Sequence, residues 1–262
     1  MSQVAFAVAA HPDDIEFMMA GTLLLLGRAG YELHYMTVAN GSCGSTTMTR
    51  DETIATRTQE ARDAAGVLGA SYHEPLVDDI QIYYRPELVA QLCAIVRDVR
   101  PEILLVPAMH DYMEDHSNTS RLMVTAAFCR GMPNYPTDPP RPAIETEMAL
   151  YHAMPYGLVD QFGNAVRPRW CVDVTSVADR KREALACHRS QKDWLDRSQG
   201  LDSTLQAMDD LSTAVGRMSG RFARAEGWHQ HAHMGFGPGD FRPLQAALAD
   251  AVCLLTDEGS TT

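Results

Sequence analysis

The chain has 262 residues, 45% hydrophobic and 21% charged, which is enough to bury one sizeable core. Its formal net charge of -12 speaks against a nucleic-acid backbone or an anionic membrane surface as partner, since both are held by clustered Lys and Arg. No basic segment precedes the first apolar run, no run approaches a membrane span, and the six cysteines form no Cys-x-x-Cys pair, so a cytoplasmic protein with reduced thiols is expected.

Residues 4–9 are an unbroken apolar run and read as a short buried strand. His11, Pro12, Asp13 and Asp14 follow it directly. A helix is expected over about 16–28, with Phe17, Met18, Leu24 and Leu25 on its apolar face and Gly30 as its stop. Residues 32–38 read as a second strand and 40–50 as a polar loop containing glycine. Ile54, Ala61, Ala64 and Leu68 predict a helix over about 51–68, stopped by Gly69. A short strand over 71–74, a helix opened by Pro86 and running to about 99, a strand over 103–106 and a helix over about 118–130 come next. A proline-rich loop spans 132–142, followed by strands over 147–152 and 170–174. Ser176 has the chemistry of an N-cap for a helix through about 188. Residues 193–225 are mostly helical in pattern, interrupted by Gly200 and Gly216. A glycine- and histidine-rich tail over 228–243 leads to a last short helix over 244–255.

The alternation of strand and helix with short connections predicts a Rossmann-like three-layer α/β/α fold with a mostly parallel sheet and right-handed crossovers. No repeat or low-complexity linker divides the chain, so one domain over 1–262 is expected, its part from about 150 elaborating the same core. In such sheets ligands sit at the carboxyl ends of the strands. Two polar loops leave strands there, 11–16 and 110–116.

His11 and Asp14, at i and i+3 just past a strand, can turn toward one point, and zinc accepts both imidazole nitrogen and carboxylate oxygen. A catalytic zinc keeps three protein ligands, and His116 on the other loop is the best third. Either histidine alone reads more simply as a turn or helix-start residue. Both at one sheet edge favour the metal. Asp13 need not be a ligand: it can act as general base toward water and return the proton to a leaving amine, or it can cap the following helix. The turn after the first strand is acidic and not Gly-rich, which speaks against a nucleotide-binding module.

Ala10-His11-Pro12-Asp13-Asp14 resembles the signature of the PIG-L/LmbE-like N-acetylglucosaminyl deacetylases. Residues 36–41 with Gly44 resemble that family's second strand and glycine loop, and 57–69 its Arg-x-x-Glu-Ala helix. Asp111-Tyr112 with Asp115-His116 resembles its D-Y-H-P-D-H segment. Asp173-Val174-Thr175, Lys181 and 188–191 resemble the stretch around its H-x-S-Q motif, and 224–228 its late Tyr-Ala-Glu-Ala-Phe segment. The resemblance implies an LmbE-like fold, zinc held by His11, Asp14 and His116, and Asp13 as general base and acid. It implies hydrolysis of an N-acetyl group from an amino sugar or related small molecule, with Arg57 and Asp78 contacting the sugar. Rival readings are a zinc amidase cleaving a bulkier amide, as in thiol-conjugate amidases, and a non-catalytic ligand-binding relative.

One position departs from the family pattern. Many members carry a histidine three residues before the last ligand, where it polarises the acetyl oxygen, and here that residue is Met113. A thioether cannot donate that hydrogen bond. The expected substitutes are His110 or the tail histidines His229, His231 and His233, with His231 and His233 ahead of His229. Since some related deacetylases take such a histidine from a neighbouring subunit, this reading leaves room for a homo-oligomer.

Overall fold

The computed structural model describes residues 3–191 and 203–255. Its frame is an eight-stranded sheet in the order β3-β2-β1-β4-β5-β7-β6-β8. The strands β1 (Val4–Ala9), β2 (Glu32–Thr37), β3 (Ser71–His73), β4 (Ile103–Val106) and β5 (Ala149–Ala153) run parallel. Beyond β5, the strands β6 (Trp170–Asp173), β7 (Ala225–Gln230) and β8 (Val252–Leu254) pair antiparallel. The helices are α1 (Asp14–Met18), α2 (Ala20–Arg28), α3 (Arg50–Leu68), α4 (Pro86–Val99), α5 (Glu114–Cys129), α6 (Ala178–Leu185), α7 (Ser203–Ser219) and α8 (Pro243–Leu248).

Side chains alternate across a strand, and β1 shows what that does here. Ala5, Ala7 and Ala9 face a core shared with α1, α2, α3, α6 and α8. Val4, Phe6 and Val8 face a second core shared with α4 and α5. Helices therefore cover both faces of the sheet, and all six residues of β1 are buried. That is why its sequence is an apolar run without alternation. A smaller third cluster joins Met154, Cys171, Val215 and Ala225, seating α7 near β6 and β7.

Several elements differ from the sequence reading. The expected helix over 16–28 is two helices, broken at Met19 (φ -134°, ψ -23°). The break points the amides of Gly21 and Thr22 at the Glu226 carboxylate, 2.8 and 2.7 Å away. Lys181 Nζ donates to the same carboxylate at 2.7 Å, and both charged groups are buried. The first amides of a helix lack carbonyl partners, so a buried anion there satisfies them and sits well in the helix dipole. A methyl group at Gly21 would lie 2.5 Å from the Val174 side chain and 2.9 Å from Glu226, so this approach requires glycine.

The helix expected over 118–130 starts four residues earlier, at Glu114, and so takes His116 into its first turn. Ser176 is not an N-cap: it lies in a 3-10 turn, Thr175–Val177, and α6 starts after it without a side-chain cap. The tail begins as strand β7, and the expected last helix ends at Leu248. Ala249, at φ 41°, then turns the chain into β8. Gly216 lies inside α7 instead of interrupting it, where a Cβ would sit 2.7 Å from the carbonyl oxygens of Phe222 and Ala223. Gly200 and the first part of the 193–225 stretch lie outside the described residues.

Candidate metal centre and active site

The two polar loops meet at the carboxyl edge of the neighbouring strands β1 and β4. Between β1 and α1 the chain turns sharply: the Asp14 amide bonds the His11 carbonyl, and the Asp14 carboxylate accepts the His11 amide at 2.8 Å. Asp13 carries the cost of the turn at φ 106°, a conformation that non-glycine residues rarely adopt. It stands at the N-cap position of α1, yet its side chain makes no capping bond. It faces Arg57 instead, whose Nη2 lies 3.3 Å from Asp13 Oδ2 and 2.6 Å from the Pro12 carbonyl oxygen.

His11, Asp14 and His116 each offer a donor atom, and these atoms lie within 4.8 Å of one another. Behind each histidine stands a carboxylate. His11 Nε2 is 2.9 Å from Asp115 Oδ2, and His116 Nδ1 is 3.0 Å from Asp111 Oδ1. Such partners fix which ring nitrogen is left for a metal. Here Nδ1 of His11 and Nε2 of His116 are left, 3.5 and 3.4 Å from the Asp14 carboxylate. Asp111 also accepts the amides of Met113 and Tyr156, and Asp115 that of Ile80.

The electrostatics describe a group short of positive charge. Burial would lower the His11 imidazole, but its bonds to Asp115 and Asp14 raise it to about 9. Burial opposes the charge on His116 too, and Asp14 and Asp111 still hold it well above its ordinary value. Asp14 is driven well below the usual carboxylate range by His116 and His11 despite its burial. Asp13 goes the other way. Burial raises it to about 6 against the pull of Arg57, with Asp14 adding to the rise. The pair is thus divided between a permanent anion and a group that exchanges a proton near neutrality.

These residues line a cavity of about 490 Å³ together with Asp79, Tyr112, Met113, Tyr156 and Gln191. Arg57 lines it as well, its guanidinium bonding the Pro12 and Gly41 carbonyl oxygens and Asp13. Asp78 is not in the lining. It bonds Asn40 and Arg50, and its neighbour Asp79 takes the cavity position while holding the amides of Gly41 and Cys43. His110 is exposed and outside the lining. His229, His231 and His233 line a different cavity, and His231 Nδ1 lies 2.9 Å from His152 Nε2. Within one chain, no tail histidine lines the cavity that holds Met113.

Sequence reasoning quoted Asp111 and Asp115 in a motif but gave them no task. Their spacing of five and one before His116 was the available signal. Tyr112, Tyr156, Asp79 and Gln191 were missed as cavity residues.

The mostly parallel sheet with helices on both faces is the fold of LmbE-like proteins. Residues 6–127 match the PIG-L family model, described as GlcNAc-PI de-N-acetylase. The chain is 25% identical over 190 residues to diacetylchitobiose deacetylase of Thermococcus kodakarensis, covering 70% of this chain and 68% of that protein. It is 26% identical over 196 residues to 4-oxalmesaconate hydratase of Pseudomonas putida, covering 72% of this chain and 74% of that one. Its fold matches N,N'-diacetylchitobiose deacetylase of Pyrococcus horikoshii with a TM-score of 0.73 at 22% identity, over 93% of this chain and 89% of that chain. Deacetylases of the PIG-L family are metal-dependent, and the group described here could hold a metal.

Proposed function

We propose that the chain is a zinc-dependent N-deacetylase that hydrolyses the acetamide of an amino sugar or a related small molecule. The observation that carries this is the meeting of His11, Asp14 and His116 with the half-buried, proton-exchanging Asp13 in one cavity. The residues fit a dication: two imidazoles and a carboxylate are a donor set that zinc accepts, and the carboxylates around the imidazoles raise both. A cation held there supplies Lewis acidity for a carbonyl oxygen and makes water acidic near neutral pH.

The other tasks fall to side chains. Asp13 takes a proton from the attacking water and delivers it to the departing amine, which its raised pKa suits. Arg57 holds Asp13 in place and favours its charged form between transfers. Asp111 and Asp115 keep the imidazoles in the ligating tautomer. Tyr112, whose ring meets that of His116 at 5.7 Å, brings a phenolic donor to the acetyl oxygen that Met113 cannot serve. The tail histidines would reach a catalytic cavity only in another copy of the chain.

The hydratase relative favours a second reading, addition of water to an unsaturated acid. Asp13, Asp14, Asp79 and Asp111 line the cavity against Arg57, which suits an uncharged amide better than a carboxylate-rich alkene. The test is metal analysis, then acetate release from a panel of N-acetylamino sugars beside loss of absorbance from unsaturated acids. Asp13→Asn should keep the metal and lose about 10²- to 10⁴-fold in kcat. A folded protein unable to bind zinc, or an Asp13→Asn variant at full activity, overturns the reading.

A further inference from the structure

The catalytic cavity has an apolar side that the proposed chemistry leaves unused. Three aromatic rings lead away from the donor group. Tyr112 meets the ring of His116 edge-on, Tyr156 meets Tyr112 at 6.0 Å between centroids, and Phe17 meets Tyr156 at 5.7 Å. Met113 and Met154 add unbranched, adaptable side chains to the same lining.

Two of these rings face water instead of packing away: Tyr112 is 62% exposed and Tyr156 42%. Ile80, also in the lining, is 55% exposed. Its backbone sits at φ 62°, where a β-branched residue is strained. Its amide donates to the Asp115 carboxylate at 2.7 Å, the same carboxylate that bonds His11, and so fixes it beside the donor group. Exposure of an isoleucine and a positive φ both oppose folding, so folding alone gives no reason for this side chain to stand at the mouth. Single apolar residues on a surface need no explanation, but a set of them around a cavity marks a binding surface.

Resting on the deacetylase reading, we propose that the substrate carries an apolar group, aromatic or alkyl, on the part of the molecule that bears the acetylated nitrogen, and that Phe17, Ile80, Tyr112 and Tyr156 seat that group. The acetyl end offers only a methyl group, and it is taken up at the donor group. The chain of rings runs outward from there, toward the body of the substrate. A bare amino sugar presents mostly hydroxyls to this surface, and an isoleucine cannot bond them. Tyr112 then does two things: its phenol serves the acetyl oxygen and its ring begins the apolar strip.

The test compares turnover of N-acetylglucosamine, its phenyl glycoside and N-hexanoylglucosamine by the full chain loaded with zinc. The phenyl glycoside should exceed the free sugar at least about tenfold in kcat/KM, chiefly through KM. Ile80→Ala and Tyr156→Ala should each remove most of that advantage while turnover of N-acetylglucosamine stays unchanged, a split that a misfolded variant would not give. Calorimetric titration of the Asp13→Asn chain with the phenyl glycoside and with the free sugar measures the same preference without turnover. If no amide is hydrolysed but the phenyl glycoside still binds more tightly, the deacetylase reading falls and the apolar seat stands. The proposal is overturned if the two sugars are equal in both experiments, if N-hexanoylglucosamine is preferred to the phenyl glycoside, or if both variants keep the full preference.

Discussion

At the scale of single residues, the site turns on one backbone angle and two hydrogen bonds. Asp13 at φ 106° stores about 1–3 kcal/mol of strain, and the side chain that causes it makes no cap. Asp13→Gly should therefore abolish activity with only a small change in the urea midpoint, the relieved strain offsetting the loss of the carboxylate beside buried Arg57. The carboxylates behind the ligands give a second prediction. Asp111→Ala and Asp115→Ala should each weaken zinc binding about 10- to 100-fold in a competition titration, with the fold kept by circular dichroism. The meeting of His11, Asp14 and His116 was legible in the sequence because the two polar loops that carry them leave strand ends at one edge of the sheet. Asp115 was not, because an acid in the first turn of a helix already has a reason to be there in the helix dipole, and Asp111 was not, because an acid in a polar loop needs none. Asp78 and Asp79 could not be told apart without the turn that sends one to Arg50 and the other to the cavity.

At the scale of elements, the break at Met19 is the informative case. Apolar periodicity runs straight through it, so the sequence reads as one helix. The cause lies more than two hundred residues later, in the Glu226 carboxylate that takes two amides out of the helical ladder. Glu226→Ala should cost about 3–5 kcal/mol, measured as a lower denaturant midpoint, because it strands the buried Lys181 charge as well as both amides. Strand β7 was illegible for a related reason. Gly227 and the histidines around it look like loop, but a Cβ at Gly227 would lie 2.6 Å from Met154 and 2.8 Å from Pro168. Glycine is there to let neighbours pack against the strand. The segment 244–255 looked helical because its first half is; the turn at Ala249 leaves no mark in apolar spacing.

For the whole molecule, the parallel half of the sheet was readable from the alternation of elements, since buried strands and covering helices must take turns along the chain. The antiparallel half depends on pairings that no local pattern encodes. The strand that joins the two halves carries a pH dependence. His152 on β5 is pushed by burial from 6.5 down to about 4. Below pH 6.5 the unfolded chain takes up a proton there that the folded chain refuses until about pH 4. The contribution is complete above pH 6.5 and is lost as pH falls toward 4. Between pH 7 and 5 it amounts to about 2 kcal/mol. Urea denaturation at those two pH values should show His152→Gln losing less stability than the parent chain by about that amount. An equal loss in both would show that His152 is not the group responsible.

The Glu226 carboxylate has one more consequence, for anyone who would cut the gene. The segment that matches the family model stops at residue 127, and every proposed metal ligand lies inside it. Yet the helix that follows the first two ligands is completed by a carboxylate at 226 and a lysine at 181. A fragment ending near 127 would hold all the named chemistry and lack the charge that seats it. Such a fragment should purify, if at all, as a zinc-poor and unstable chain. Adding residues 128–262 as a separate polypeptide is the complementation experiment that should restore it.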